Sequence, residues 1–174
     1  MTACVTSGFP YHAELSPSRT RFALSFYAGA VSIHEMPPAT AVAMVTLDPR
    51  GGAPAVAWSA DGQKLCASNE KSGIWLIAPG AADGASREIG ERGCGARGLA
   101  WSSAGGIIAA SSGKHISLWD EGGALRASLK APWNVLGFSA DASLLAVGDN
   151  HGARVLDVAE LLASCAPRQR RARG

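Results

Sequence analysis

The chain has 174 residues, 47% hydrophobic and 17% charged, proportions of a globular protein that exclude an intrinsically disordered one. It holds no run of 18 uninterrupted apolar residues, and Met1 to Val5 shows no basic start before an apolar stretch, so neither a membrane span nor a signal peptide is expected. Net charge is +2, yet Arg168, Arg170, Arg171 and Arg173 lie in the last seven residues; without them 12 basic face 14 acidic side chains, which excludes a basic nucleic-acid-binding body.

The first segment, about 9–47, opens with Glu14-Leu15-Ser16-Pro17 and continues with strands over Arg21 to Ser25, Ala30 to Ile33 and Ala41 to Leu47. The second, about 54–90, is clearer. Ala55-Val56-Ala57-Trp58-Ser59 reads as a strand and Ala60-Asp61-Gly62-Gln63 as a turn, because Asp offers a side-chain acceptor and Gly tolerates positive φ. Strands follow over Leu65 to Ser68, Ile74 to Ile77 and Ser86 to Ile89. The third, about 96–129, repeats this with Gly98 to Ser102, a Gly105-Gly106 turn, Ile107 to Ala110, and Ile116-Ser117-Leu118-Trp119-Asp120, which alternates with the period of a two-faced strand. Ala124 to Leu129 is its outer strand. The fourth, about 132–158, gives Val135 to Ser139, a turn at Asp141, Leu144 to Gly148, the Asn150-His151-Gly152 turn, and Arg154 to Asp157. Ala159 to Ala163 favours a short helix, and residues 161–174 form its end and a basic tail.

The anchors Leu15, Trp58, Trp101 and Phe138 stand 43, 43 and 37 residues apart, and each third strand begins 15 or 16 residues after its anchor. A blade-sized period of short strands and Gly-rich turns is the pattern of a β-propeller, in which neighbouring small sheets cover one another's faces. The expected fold is all-β, with one repeat domain over residues 1–160.

Residues 9 to 160 resemble the WD-repeat family of β-propellers. Val56-Ala57-Trp58-Ser59-Ala60-Asp61-Gly62 is similar to that family's inner strand and turn, and Ile116-Ser117-Leu118-Trp119-Asp120 to its closing Trp-Asp strand. Departures are visible. Leu156-Asp157 lacks the tryptophan, Leu76-Ile77 lacks both residues, and no Gly-His dipeptide precedes an inner strand. The resemblance implies a propeller of usually about seven blades, so four copies imply a partial, open one. Two alternatives stay open: self-closure with Ala3 to Thr6 as the missing strand, and completion by another chain or a second copy. The implied function is a non-enzymatic scaffold for protein–protein interaction through loop rims and exposed blade edges, inside a larger assembly. The less favoured alternative is a nucleic-acid-associated propeller using the arginine-rich tail. The compartment expected is intracellular, cytoplasmic or nuclear.

Motifs with catalytic associations fail on context. Gly93 to Gly98 fits G-x-G-x-x-G, but a strand follows where a nucleotide site needs a helix N-terminus. Ser68-Asn69-Glu70-Lys71 and Ser111-Ser112-Gly113-Lys114 match S-x-x-K at equivalent turns of two repeats, which points to turn architecture. Cys4, Cys66, Cys94 and Cys165 form no C-x-x-C pair and suit reduced thiols. His12, His34, His115 and His151 stand at least 22 residues apart and are expected in exposed turns, not in a metal site. No catalytic set, cofactor or metal is expected.

Trp58, Trp101 and Trp119 are core candidates. Trp75 aligns with Ser117 and points to the opposite face, and Trp133 sits in the Pro132-Trp133-Asn134 loop. Such loops rim a propeller, where exposed aromatics act as anchors. The partner-contact candidates are therefore Trp133, Trp75 and His151.

Overall fold

A computed structural model describes residues 9–36, 40–52, 54–80, 86–90, 95–104, 106–149 and 151–164. Its strands form four antiparallel sheets, each built from consecutive segments. The first contains β1 (Pro10–Leu15), β2 (Arg21–Phe26), β3 (Ala30–Glu35) and β4 (Thr40–Thr46). The second contains β5 (Ala55–Trp58), β6 (Leu65–Ser68), β7 (Ile74–Ile77) and β8 (Ser86–Ile89). The third contains β9 (Gly98–Trp101), β10 (Ile107–Ser111), β11 (His115–Asp120) and β12 (Leu125–Lys130). The fourth has three strands, β13 (Val135–Phe138), β14 (Leu144–Asp149) and β15 (Gly152–Asp157). The segment Ala3 to Thr6, the other terminal cysteine Cys165 and the tail arginines Arg168, Arg170, Arg171 and Arg173 lie outside the described residues.

One turn recurs after every anchor. Ser16, Ser59, Ser102 and Ser139 each accept, through Oγ, the backbone N–H five residues on: Arg21 at 3.1 Å, Lys64 at 2.9 Å, Ile107 at 2.9 Å and Leu144 at 3.0 Å. Each serine N–H also donates to the carbonyl of that same residue, so both strand ends are tied. In the second and fourth copies an aspartate accepts the serine hydroxyl at 2.6 Å. Hydrogen bonds from Ser139 and Ser143 hold the exposed Asp141 carboxyl down at about 2. In the first, second and fourth copies the residue four positions after the anchor is left-handed. Gly62 adopts this conformation freely at φ 67°, whereas Arg19 at 57° and Ala142 at 58° carry a Cβ there.

The sheets pack in chain order through their first strands: β1 against β5, β5 against β9, and β9 against β13. Among the described residues no comparable packing joins β13 back to β1. Each boundary combines two kinds of face. The forward face of one sheet presents small and aliphatic residues, and the rear face of the next presents the anchor. Ala23, Val31 and Ile33 thus meet Val56, Trp58 and Leu65. Ala57, Cys66 and Leu76 meet Trp101, Ile108 and Trp119. Ala100, Ala109 and Leu118 meet Phe138, Leu145 and Val147. Fully burying one such aliphatic or aromatic side chain stabilises the fold by about 1.5–3 kcal/mol. The tryptophan of the second sheet also bonds across its boundary, Trp58 Nε1 donating to the Glu14 carbonyl at 3.2 Å.

The short helix α1 (Val158–Ser164) covers the expected helical stretch and rests on β12 and β15. Asp157 caps it by accepting the Glu160 N–H at 2.9 Å, while Val158 and Leu161 enter the core between the third and fourth sheets. Among the described residues no helix is long and apolar enough to cross a membrane.

Several residues depart from expectation: His12 and His115, expected in turns, are exposed but lie on β1 and β11. β1 begins at Pro10, ahead of Glu14, because Pro17 lies in the serine turn and the ladder with β2 extends towards the N-terminus. His34, expected in an exposed turn, is 1% exposed on β3. Its ring stacks on Phe22 with centroids 4.8 Å apart, and its Nε2 lies 2.8 Å from the Ser32 hydroxyl. Desolvation lowers its pKa. Periodicity places a histidine on a strand but does not reveal an aromatic partner across the ladder.

Candidate functional site

Because successive strands are antiparallel, the serine turns share one end of the sheets. The connections β2–β3, β4–β5, β6–β7, β8–β9, β10–β11, β12–β13 and β14–β15 share the other. Three clefts open at this second, loop end.

One cleft, of about 550 Å³, brings Trp133 and His151 together with Lys130, Asp149 and Arg154. The Trp133 ring is half-buried against the core of the third and fourth sheets. Its backbone carbonyl accepts a hydrogen bond from Ser111 Oγ, which fixes the loop to the end of β10. The Arg154 guanidinium lies 5.5 Å from the ring centroid, a cation–π contact. His151 is exposed in the β14–β15 turn, where its N–H donates to Asp149 Oδ1 at 2.7 Å and Gly152 N–H donates to the same atom at 3.1 Å.

Trp75 lies elsewhere at this end. It is half-buried beside the core of the first two sheets and lines a cleft of about 620 Å³ with Asp48, Arg50, Lys71 and Glu88. The pair Arg50–Asp48, 2.7 Å apart and exposed, holds the Asp48 carboxyl well below its ordinary range, at about 2. Glu88 Oε1 accepts the Gly73 N–H at 2.9 Å. Asn69 ties this rim together: its Nδ2 donates to the Asp48 carbonyl at 2.8 Å, and its Oδ1 accepts the N–H groups of Lys71 and Ser72, both at 3.1 Å.

The third cleft, about 570 Å³, is where the first strands of all four sheets converge. Tyr11 and Tyr27 meet edge-to-face at 5.0 Å on one side, and the Arg97–Glu70 ion pair at 2.8 Å stands between the second and third sheets. Gly98 is required here, because a Cβ at this position would run into the Asn134 carbonyl oxygen.

Sequence inspection missed several residues that build this end. Ser68 accepts the Ala96 N–H at 3.0 Å, and Ser111 bonds the Trp133 carbonyl. The two serines of the S-x-x-K matches are thus equivalent clasps between adjacent sheets. Their signal was present, since each follows its anchor by ten residues. Asn69 and the Arg97–Glu70 pair had no such signal. Within the G-x-G-x-x-G match, Gly93 and Cys94 lie outside the described residues, and β9 follows Arg97 directly.

The loop end offers aromatic faces, paired charges and backbone amides, which suit recognition of a polar, mixed-charge surface. Among the described residues no group of three His, Cys, Asp or Glu side chains is placed to hold a metal ion. No protein-family model matches the chain, and no curated protein matches it.

Proposed function

We propose that this chain is a non-enzymatic, WD-repeat-like propeller scaffold that binds a protein partner on its loop end. The observation that carries this is the Trp133 cleft. An aromatic ring clasped through its backbone, with a guanidinium over its face and His151 lining the same cleft, is a preorganised anchor of the kind that dominates protein interfaces. The repeated serine turn and the chain-order packing of four small sheets support the propeller part of the proposal. Rigid sheets then present variable loops, and affinity comes from a few anchors.

Affinity capture from cells with wild-type protein and with Trp133→Ala tests it. Loss of specific partners from the variant, at an unchanged circular dichroism spectrum, is the expected result. An identical partner set with Trp133→Ala and with Arg154→Glu overturns the assignment of this cleft.

A further inference from the structure

Among the described residues no sheet packs on the rear face of the first sheet or on the forward face of the fourth; on the first sheet's rear face Ser32 and His34 of β3 are themselves buried, and the open part lies over β1 and β2. The first sheet's rear face carries the anchor position, and Leu15 there is 54% exposed, whereas the equivalent Trp58 and Trp101 are buried. Around it, Phe22 and Leu24 are only half-buried, although Leu65 and Ala67 at the same positions of the second sheet are fully buried. The fourth sheet's forward face is the reciprocal surface. Val155, 63% exposed, stands where Ile33, Leu76 and Leu118 are buried. Ala146 is exposed where Ala23, Cys66 and Ala109 are inaccessible.

We infer that the forward face of the fourth sheet in one copy docks on the rear face of the first sheet in a second copy, and the reverse, so that two chains close one ring. The inference rests on the propeller proposal above. Two details fit this junction specifically. The inter-sheet clasps join Ser68 to Ala96 and Ser111 to Trp133, each a residue five before an anchor. The corresponding pair at the new boundary is Gly148 and Pro10, which brings neither a hydroxyl nor an N–H that needs a partner. The pairing is also heterologous, one surface meeting a different one, as at every internal boundary, and such contacts close when the rotation per unit divides the circle. Two four-sheet chains make eight blades, within the range of closed propellers.

The test is sedimentation velocity on the purified 174-residue chain from about 2 to about 50 µM, because the apparent stability of a dimer depends on concentration. The expected species has twice the 17.8 kDa chain mass. Val155→Asp and Leu15→Asp each change an exposed side chain, and each is expected to give folded monomers with an unchanged circular dichroism spectrum and a Tm that no longer rises with protein concentration. Leu15→Trp is expected to tighten the dimer about tenfold, since its indole N–H reaches the Gly137 carbonyl of the second copy as Trp58 reaches the Glu14 carbonyl. A folded wild-type monomer across the range, a mass other than twice the chain, or a dimer indifferent to Val155→Asp and Leu15→Asp overturns the inference. None of these variants touches the Trp133 cleft, so partner capture there stands or falls separately.

Discussion

Glu14 is the half-buried carboxyl that this fold handles least comfortably. It sits on β1 opposite Ala23, at the boundary with the second sheet, and its Oε2 is buried without a hydrogen-bond partner. Burial raises its carboxyl from 4.5 to about 7, with the Trp58 backbone amide pulling the other way. In the unfolded chain the carboxyl ionises near 4.5, so between pH 4.5 and about 7 the folded state holds a proton that the unfolded state has released. The stability contributed by this protonated group is therefore complete below pH 4.5, falls as pH rises, and is lost above about 7. Each tenfold change in proton affinity is worth ~1.4 kcal/mol, so the full rise corresponds to about 3 kcal/mol. Glu14 is only half-buried, and solvent screening brings this to about 1–2 kcal/mol. Glu14→Gln has the same shape and no charge at any pH. Urea unfolding of both proteins at about pH 5 and about pH 8.5 measures the difference. The variant is expected to gain about 1–2 kcal/mol on wild type between the two conditions, or roughly 2–8 °C in Tm. A difference between the proteins that is the same at both pH values refutes the buried-carboxyl argument, because the comparison cancels every other titrating group.

Three further outcomes follow from the packing. Trp101→Ala empties the centre of the boundary between the second and third sheets and should cost about 3–5 kcal/mol by denaturant titration. Ala142→Gly should stabilise by about 1 kcal/mol, since φ 58° strains an alanine and suits a glycine; a lower urea midpoint contradicts the turn geometry. Cys66 is fully buried with its thiol pKa pushed up, so a thiol reagent followed by peptide mass spectrometry should label it only above the unfolding midpoint.

Much of the sheet structure was legible because its causes are local. Trp58-Ser59-Ala60-Asp61-Gly62 encodes a strand end, a hydroxyl acceptor, a carboxylate and a left-handed glycine within five residues, and these groups close the turn on the backbone of Gln63 and Lys64. The alternation of Ile116 to Trp119 placed Leu118 and Trp119 on opposite faces, where they enter different cores. His34 shows the limit. Its place on β3 is local, but its burial beneath Phe22 depends on the strand beside it.

Recurrence at a 43-residue period was enough to set out repeated small sheets, their anchors and the equivalence of the S-x-x-K serines, because each copy solves the same short-range problem of turn and pleat. Only the tertiary structure decided that Trp133 shares a cleft with His151 and Arg154 while Trp75 lines another, and that Ser68 and Ser111 clasp neighbouring sheets. It also decided that Glu14 is half-buried while Leu15 and Val155 face outward. A side chain's face follows from its neighbours in sequence; what covers that face follows from which sheet packs next to it.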